Sequence, residues 1–243
     1  MDWIKFGGDK LEPVKLKEFE EAVRAREHEV CMELVAHIPP ISPYHKIMIA
    51  CIGTPKAIFD RVGPLVGSIL SDSDMGVTAE LGGYPKVDIL GTCDEPLTAI
   101  TVEESVFKYA TTHYNENVFT IALDSSMCYD EEDLYKISVK NKGVRPGGAL
   151  SDKLPRVGDI GILCATIKEP DYFHDVSDLF YNDWDLQFKQ MTMILAKSMA
   201  RIIIKALLIK KEMEKGEKYD SERIRDYEKR SGSPNSLQGG NRS

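Results

Sequence analysis

The chain has 243 residues, 42% of them hydrophobic, and a formal net charge of -8. That length suits one α/β domain with additions or two small domains, with enough apolar residues for a substantial core. The acidic balance excludes broad electrostatic attachment to nucleic acid, and no apolar stretch approaches the ~20 residues that span a bilayer. Residues 1–15, MDWIKFGGDKLEPVK, contain no continuous apolar h-region, so a secretory signal is not expected. The five cysteines (Cys31, Cys51, Cys93, Cys128 and Cys164) form no CxxC pair. This argues against a zinc site or a disulfide framework and for a reducing compartment, the cytoplasm.

In chain order, 14–36 reads as an amphipathic helix, with Val14, Leu16, Phe19, Val23, Val30, Leu34 and Val35 set among charges. The IPPISPYHK segment ends it, because prolines lack the amide donor and restrict the residue before them. Residues 1–45 are therefore read as an amino-terminal helical extension packed on a main domain, 46–210. Within that domain the spacing predicts strands at 46–52, 86–92, 118–123, 134–140 and 158–167. It predicts helices at 61–70 and 100–114 and a long closing helix at 185–209. Strands alternating with helices give an α/β fold with a mainly parallel sheet covered on both faces. Residues 211–243 form a charged tail whose first part can extend the last helix through Glu/Lys spacings of three and four, and which ends in a composition typical of disorder. There is no internal repeat.

Two acids stand where such sheets place their chemistry, beyond the carboxyl ends of strands. Asp60 follows the first strand and precedes the first helix, so it reads either as an N-cap or as a site carboxylate. Gly63 and Pro64 fix the start of that helix and hence the direction of Asp60. Asp124 follows the third predicted strand and is followed by Ser125 and Ser126, either a self-satisfied loop or the second member of a pair. Two carboxylates within reach cannot both ionise easily, so they can share a proton and divide acid and base roles around a water. Backbone amides at Gly53 and Thr54, or at the start of the first helix, are candidate oxyanion donors. Asp94 and Glu95, after the second strand, are candidate substrate contacts on the same rim. Asp159 falls at the opposite end of a strand and reads as structural. The histidines lack the spacing of metal ligands, and His174 alone is kept as a candidate site residue. Cys128 has no histidine placed beside it and reads as an inert thiol. Neither GxGxxG nor GxxxxGK[ST] occurs.

Taken in order, CIGTPKAIFDRVGPLVG, ILGTCDEPLTAI, IALDSS, VRPGGALSDKLPRVGDIGI and the closing helix resemble the YyaC-like sporulation-protein family over about residues 45–209. That family is similar in fold to the germination protease and, more distantly, to hydrogenase maturation endopeptidases of HybD type. The resemblance implies a three-layer α/β/α sandwich, phosphorylase/hydrolase-like. It also implies a sporulation-associated peptidase relying on two aspartates at neighbouring strand ends, which match Asp60 in FDRVGP and Asp124 in ALDSS.

The chain departs from the family in its first loop, where a sequence close to GTDRSTGDSLGP is replaced by GTPKAIFDRVGP. Pro55 takes the place of an acid, and Phe59 takes that of the glycine before the key aspartate. Where the maturation enzymes carry a nickel-binding histidine the chain reads PGGALSD, so no metal or cofactor is expected. The expected partner is a protein or peptide substrate. The competing reading is a non-catalytic protein-binding member of the same fold. A metal-dependent maturation protease is a third, disfavoured by the missing histidine.

Overall fold

The computed structural model describes residues 16–40, 45–57, 59–72, 76–83, 85–114, 116–147, 155–168 and 186–214. The elements are α1 (Leu16–His37), β1 (His45–Cys51), α2 (Val62–Leu70), α3 (Val77–Leu81), β2 (Lys86–Leu90) and α4 (Val102–Thr112). They continue with β3 (Asn117–Cys128), a 3-10 turn (Glu131–Asp133), β4 (Ile137–Lys140), β5 (Ile160–Lys168) and α5 (Leu186–Glu214). The five strands make one sheet in the order β2-β1-β3-β5-β4. All neighbours are parallel except the β4–β5 pair, which is antiparallel. The chain builds outward from β1 to β2, then crosses back to place β3 on the other side of β1. The boundary between β1 and β3 is thus the topological switch point, where open α/β sheets leave a crevice.

Strand alternation assigns the two faces. Ile47, Ile49 and Cys51 of β1 join Ile121 and Leu123 of β3 in a large core with residues of α1, α2, α3 and α5. Ala50, Ile52 and Ala122 face the other way into a smaller cluster with Leu97, Val102 of α4, Val144 and Val157. The mixed α/β sheet is covered by helices on both faces, thickly on one and thinly on the other. The second half of α5 is buried on nearly all sides, as the successive buried residues Ile202, Ile203, Ile204, Ala206, Leu207, Leu208 and Ile209 show. An ion pair between Arg201 of α5 and Glu27 ties it to α1.

The elements differ from the sequence expectations in ways that matter. β3 does not end at Leu123. Its last partner on β1 is Cys51, opposite Leu123, but β5 keeps pairing with it as far as Cys128. Asp124, Ser125 and Ser126 therefore lie inside a strand, not in a loop. β4 is shorter than expected, because Leu134 and Tyr135 form a turn in which Tyr135 has φ +63°, leaving the strand to start at Ile137. α3 had no periodic signal in its five residues. α5 continues beyond residue 210, with Lys211 and Glu212 buried, so a boundary at 210 falls inside a helix. Residues 1–15, 215–243 and His174 lie outside the described residues. No helix among the described residues is long and apolar enough to cross a membrane.

Candidate active site

A cleft of about 550 Å³ opens at the carboxyl end of β1 and β3, and both Asp60 and Asp124 line it. Asp124 shares its face with Ala122 and Ile52 by strand alternation, one residue past the end of the β1–β3 ladder. It is 7% exposed.

Asp60 reaches the cleft by a tight turn. Its amide donates to the Ala57 carbonyl at 3.0 Å. Its carboxylate accepts the Thr54 amide at 2.9 Å. The cap reading of Asp60 is thereby corrected: Arg61 is the N-cap of α2, and no side chain caps it. The carboxylate turns back toward the end of β1 because that amide is nearer to hand than those of the helix. Thr166 on β5 pins the same loop, donating its hydroxyl to the Phe59 carbonyl at 2.6 Å.

Glycine makes this turn achievable. Gly53 has φ +140°, and a Cβ there would lie 2.1 Å from the Asp60 carbonyl oxygen. Gly63 does the same service at the start of α2, where an added Cβ would sit 1.9 Å from the Ile52 oxygen. The GxxxxxxDxxGP spacing in this chain is therefore a packing requirement that brings α2 and Asp60 onto the end of β1.

Burial dominates the electrostatics. Asp60 is pushed up to about 6, first by desolvation, with the Thr54 hydrogen bond opposing. Asp124 is raised well above the carboxylate range by burial and then by the charge of Asp60, with the Ser125 amide opposing. The repulsion falls on one ladder of protonation: Asp60 ionises first, and Asp124 then holds its proton more tightly. Between the two ionisations the pair carries one proton, on Asp124.

The other candidates sort clearly. Gly53 and Thr54 line the cleft, but their amides are engaged, Gly53 with the Leu97 carbonyl at 2.9 Å and Thr54 with Asp60. The expectation that they bind an oxyanion is corrected on that ground. Asp94 and Glu95 are exposed in a turn closed by Thr92, and their side chains do not line the cleft. Asp159 accepts the Thr120 amide at 2.7 Å, a structural bond at the far end of β5. Cys128 is buried against the Ile167 carbonyl and its thiol is shifted up, away from the reactive thiolate. His113 caps the carboxyl end of α4. Phe59, singled out as the replacement for the family glycine, lines the cleft; sequence reasoning missed Met127 and Thr166, and also Lys140, Arg145 and Arg156, all of which line it too. The two arginines stood in the VRPGG and KLPRVGD segments, so a signal was present without an assigned chemistry.

A nickel ion does not fit the donor set. Among the described residues there is no group of three His, Cys, Asp or Glu side chains able to hold a metal, and no histidine lines the cleft.

Against known families, residues 20–174 match DUF1256, a family described as "Protein of unknown function". The chain belongs to the DUF1256 family. The match takes in most of α1, so this helix is not foreign to the family as the sequence resemblance over 45–209 implied. A curated relative is "Uncharacterized protein YyaC" of Bacillus subtilis (strain 168), 26% identical over 117 residues. That alignment spans 48% of this chain and 51% of YyaC, about half the length of each. Among solved structures, the [NiFe] hydrogenase maturation protease HycI from Thermococcus kodakarensis KOD1 is similar at a TM-score of 0.39 and 20% identity, covering 65% of this chain and 92% of HycI.

Proposed function

We propose that this DUF1256 protein is a peptidase in which Asp60 and Asp124 divide the roles of base and acid. The observation that carries the proposal is their meeting in one cleft at the switch point of the sheet, where burial raises both carboxyls and the charge of Asp60 raises Asp124 further. The Asp60 carboxylate takes a proton from water as the water oxygen attacks the scissile carbonyl carbon. Asp124 then gives its proton to the departing amide nitrogen as the C–N bond breaks. Asp60 is left protonated, and transfer of that proton back to Asp124 restores the starting pair. The family resemblance to spore proteases supports the same reading and would place the activity in sporulation, on a protein or peptide substrate.

The test is incubation of the full chain with a proteome-derived peptide library, with new termini read by mass spectrometry. The wild type should generate a consistent set of termini, and Asp60→Asn and Asp124→Asn should each reduce them at least 100-fold while keeping the wild-type circular dichroism. Full cleavage by either variant would overturn the mechanism. The binding-only alternative draws on Phe59, which lines the cleft in place of the family glycine. It predicts no new termini from the wild type, and recovered cleavage in Phe59→Gly.

A further inference from the structure

On the thin face of the sheet, α4 packs with one side and leaves the other open. Val102 is buried, Val106 joins the smaller core cluster, and Tyr109 donates its hydroxyl to Asp88 of β2 at 2.7 Å. These positions mark the inward side. The opposite side carries Ile100, Phe107 and Tyr114, which are 92%, 72% and 79% exposed. Ile100 already lies on the helical turn, because the Val102 amide donates to the Thr98 carbonyl at 2.9 Å. Tyr114 follows the C-cap, where the His113 amide donates to the Tyr109 carbonyl at 3.1 Å. A spacing of seven residues drifts only ~20° around a helix, so the three side chains form one stripe. Among the described residues the other exposed large apolar side chains, Met32, Tyr129 and Met213, stand singly on other segments, which is ordinary for a protein surface.

The stripe is symmetric about its centre. A two-fold axis at Phe107 turns a second copy of α4 antiparallel to the first. It sets Phe107 against the partner's Phe107, and Ile100 against the partner's Tyr114. The flanking charges obey the same rotation. Glu104 and Lys108 lie on one flank of the stripe, both exposed, and among the described residues neither makes an ion pair. Under this rotation each flank meets itself, so Glu104 faces the partner's Lys108 at an offset of two residues, or ~3 Å along the axis, and the contact is made twice. On the other flank Glu103 comes beside the partner's Ala110, whose small side chain lets the helices approach. At roughly 150–250 Å² for each aromatic side chain, the stripe presents about 500 Å² per copy. A pair of copies then hides about 1,000 Å², the size of a weak but specific interface.

We propose that α4 is the interface of a two-fold dimer of this chain, with Phe107 on the axis and two Glu104–Lys108 pairs beside it. A stripe and flanking charges that complement themselves under one rotation call for a second copy rather than a different protein. Ala99, next to Ile100, lines the cleft, so the pairing brings the partner's Tyr114 to the cleft rim. The dimer does not rest on the peptidase reading.

The test is sedimentation velocity on the full chain from about 1 to about 300 µM, the range in which an interface of this size is half-formed. The mass should rise from one copy to two and stop there, since a two-fold contact closes on itself. Phe107→Glu should weaken association at least tenfold with unchanged circular dichroism, because the side chain it replaces is exposed. Glu104→Lys and Lys108→Glu should each weaken it about fivefold, as each substitution counts twice, and Glu104→Lys/Lys108→Glu should return to within about twofold of wild type. Met32→Gln, on the exposed surface of α1, should leave it unchanged. A chain that stays single at the highest concentration, or that grows past two copies, overturns the dimer. Undiminished association in Phe107→Glu overturns the assignment to α4. A double variant as weak as the single ones overturns the antiparallel register.

Discussion

Asp60→Asn should stabilise the protein while destroying the activity proposed for it, and the size of the effect follows from the site. In the unfolded chain this carboxyl ionises near 3.8, whereas in the folded protein burial raises it to about 6. Between those values the folded state holds a proton that the unfolded state has lost. Stability therefore falls as pH rises from 3.8 toward 6, and the deficit is complete above the folded pKa. A shift of roughly two units corresponds to about 3 kcal/mol. The asparagine variant escapes this penalty and still offers an oxygen to the Thr54 amide. For a chain of this size, about 3 kcal/mol is ~6–12 °C in Tm. Thermal unfolding followed by circular dichroism at intervals from pH 4 to 8 tests it. The two proteins should unfold together near pH 4, and the variant should lead by a growing margin that levels off above pH 6. A variant no more stable than wild type at pH 8, or a margin independent of pH, would refute the reasoning.

Three further outcomes follow from the same structure. Gly53→Ala should cost about 3 kcal/mol in urea unfolding, because its Cβ collides with the Asp60 carbonyl at a φ that alanine resists; a cost under about 1 kcal/mol would show that the turn is not as tight as described. Arg201→Met should destabilise by about 3 kcal/mol by leaving Glu27 without its partner, whereas Arg201→Met/Glu27→Leu should recover most of that loss; additive losses in the double variant would contradict the pairing. Exhaustive dialysis against a chelator should leave cleavage unchanged, since two carboxylates carry the proton transfers, and loss of cleavage restored by one added metal would replace the dyad with a metal mechanism.

Much of this fold was legible because its signals are local. The apolar runs at 47–52 and 160–165 are β-rich and bounded by turn residues, and the buried length of α5 has no competing interpretation. The GPLVG segment announced a close approach before the neighbour was known, and that neighbour is the end of β1. What local pattern did not hold was pairing. β3 ends on its β1 side at Leu123 but continues on its β5 side, and no residue in ALDSSMC records that asymmetry. The same limit applied to Asp60. A carboxylate before a helix reads as its cap, yet a glycine seven residues earlier lets the chain fold back so that the Thr54 amide takes it instead. Arg145 and Arg156 escaped notice for a like reason, since they are eleven residues apart in sequence and the Val144–Val157 bridge beside them brings their segments together.

The claim on which the account turns is that Asp60 and Asp124 titrate as a coupled pair, Asp60 first and Asp124 after it. Titration of the aspartate carboxyl carbons by ¹³C NMR, assigned with Asp60→Asn and Asp124→Asn, reads it directly. The account predicts that the Asp60 carboxyl titrates near pH 6 and that Asp124 loses its proton only after Asp60, with its titration moving down when Asp60 is replaced. Two independent titrations near pH 4, each untouched by replacement of the other residue, would contradict it.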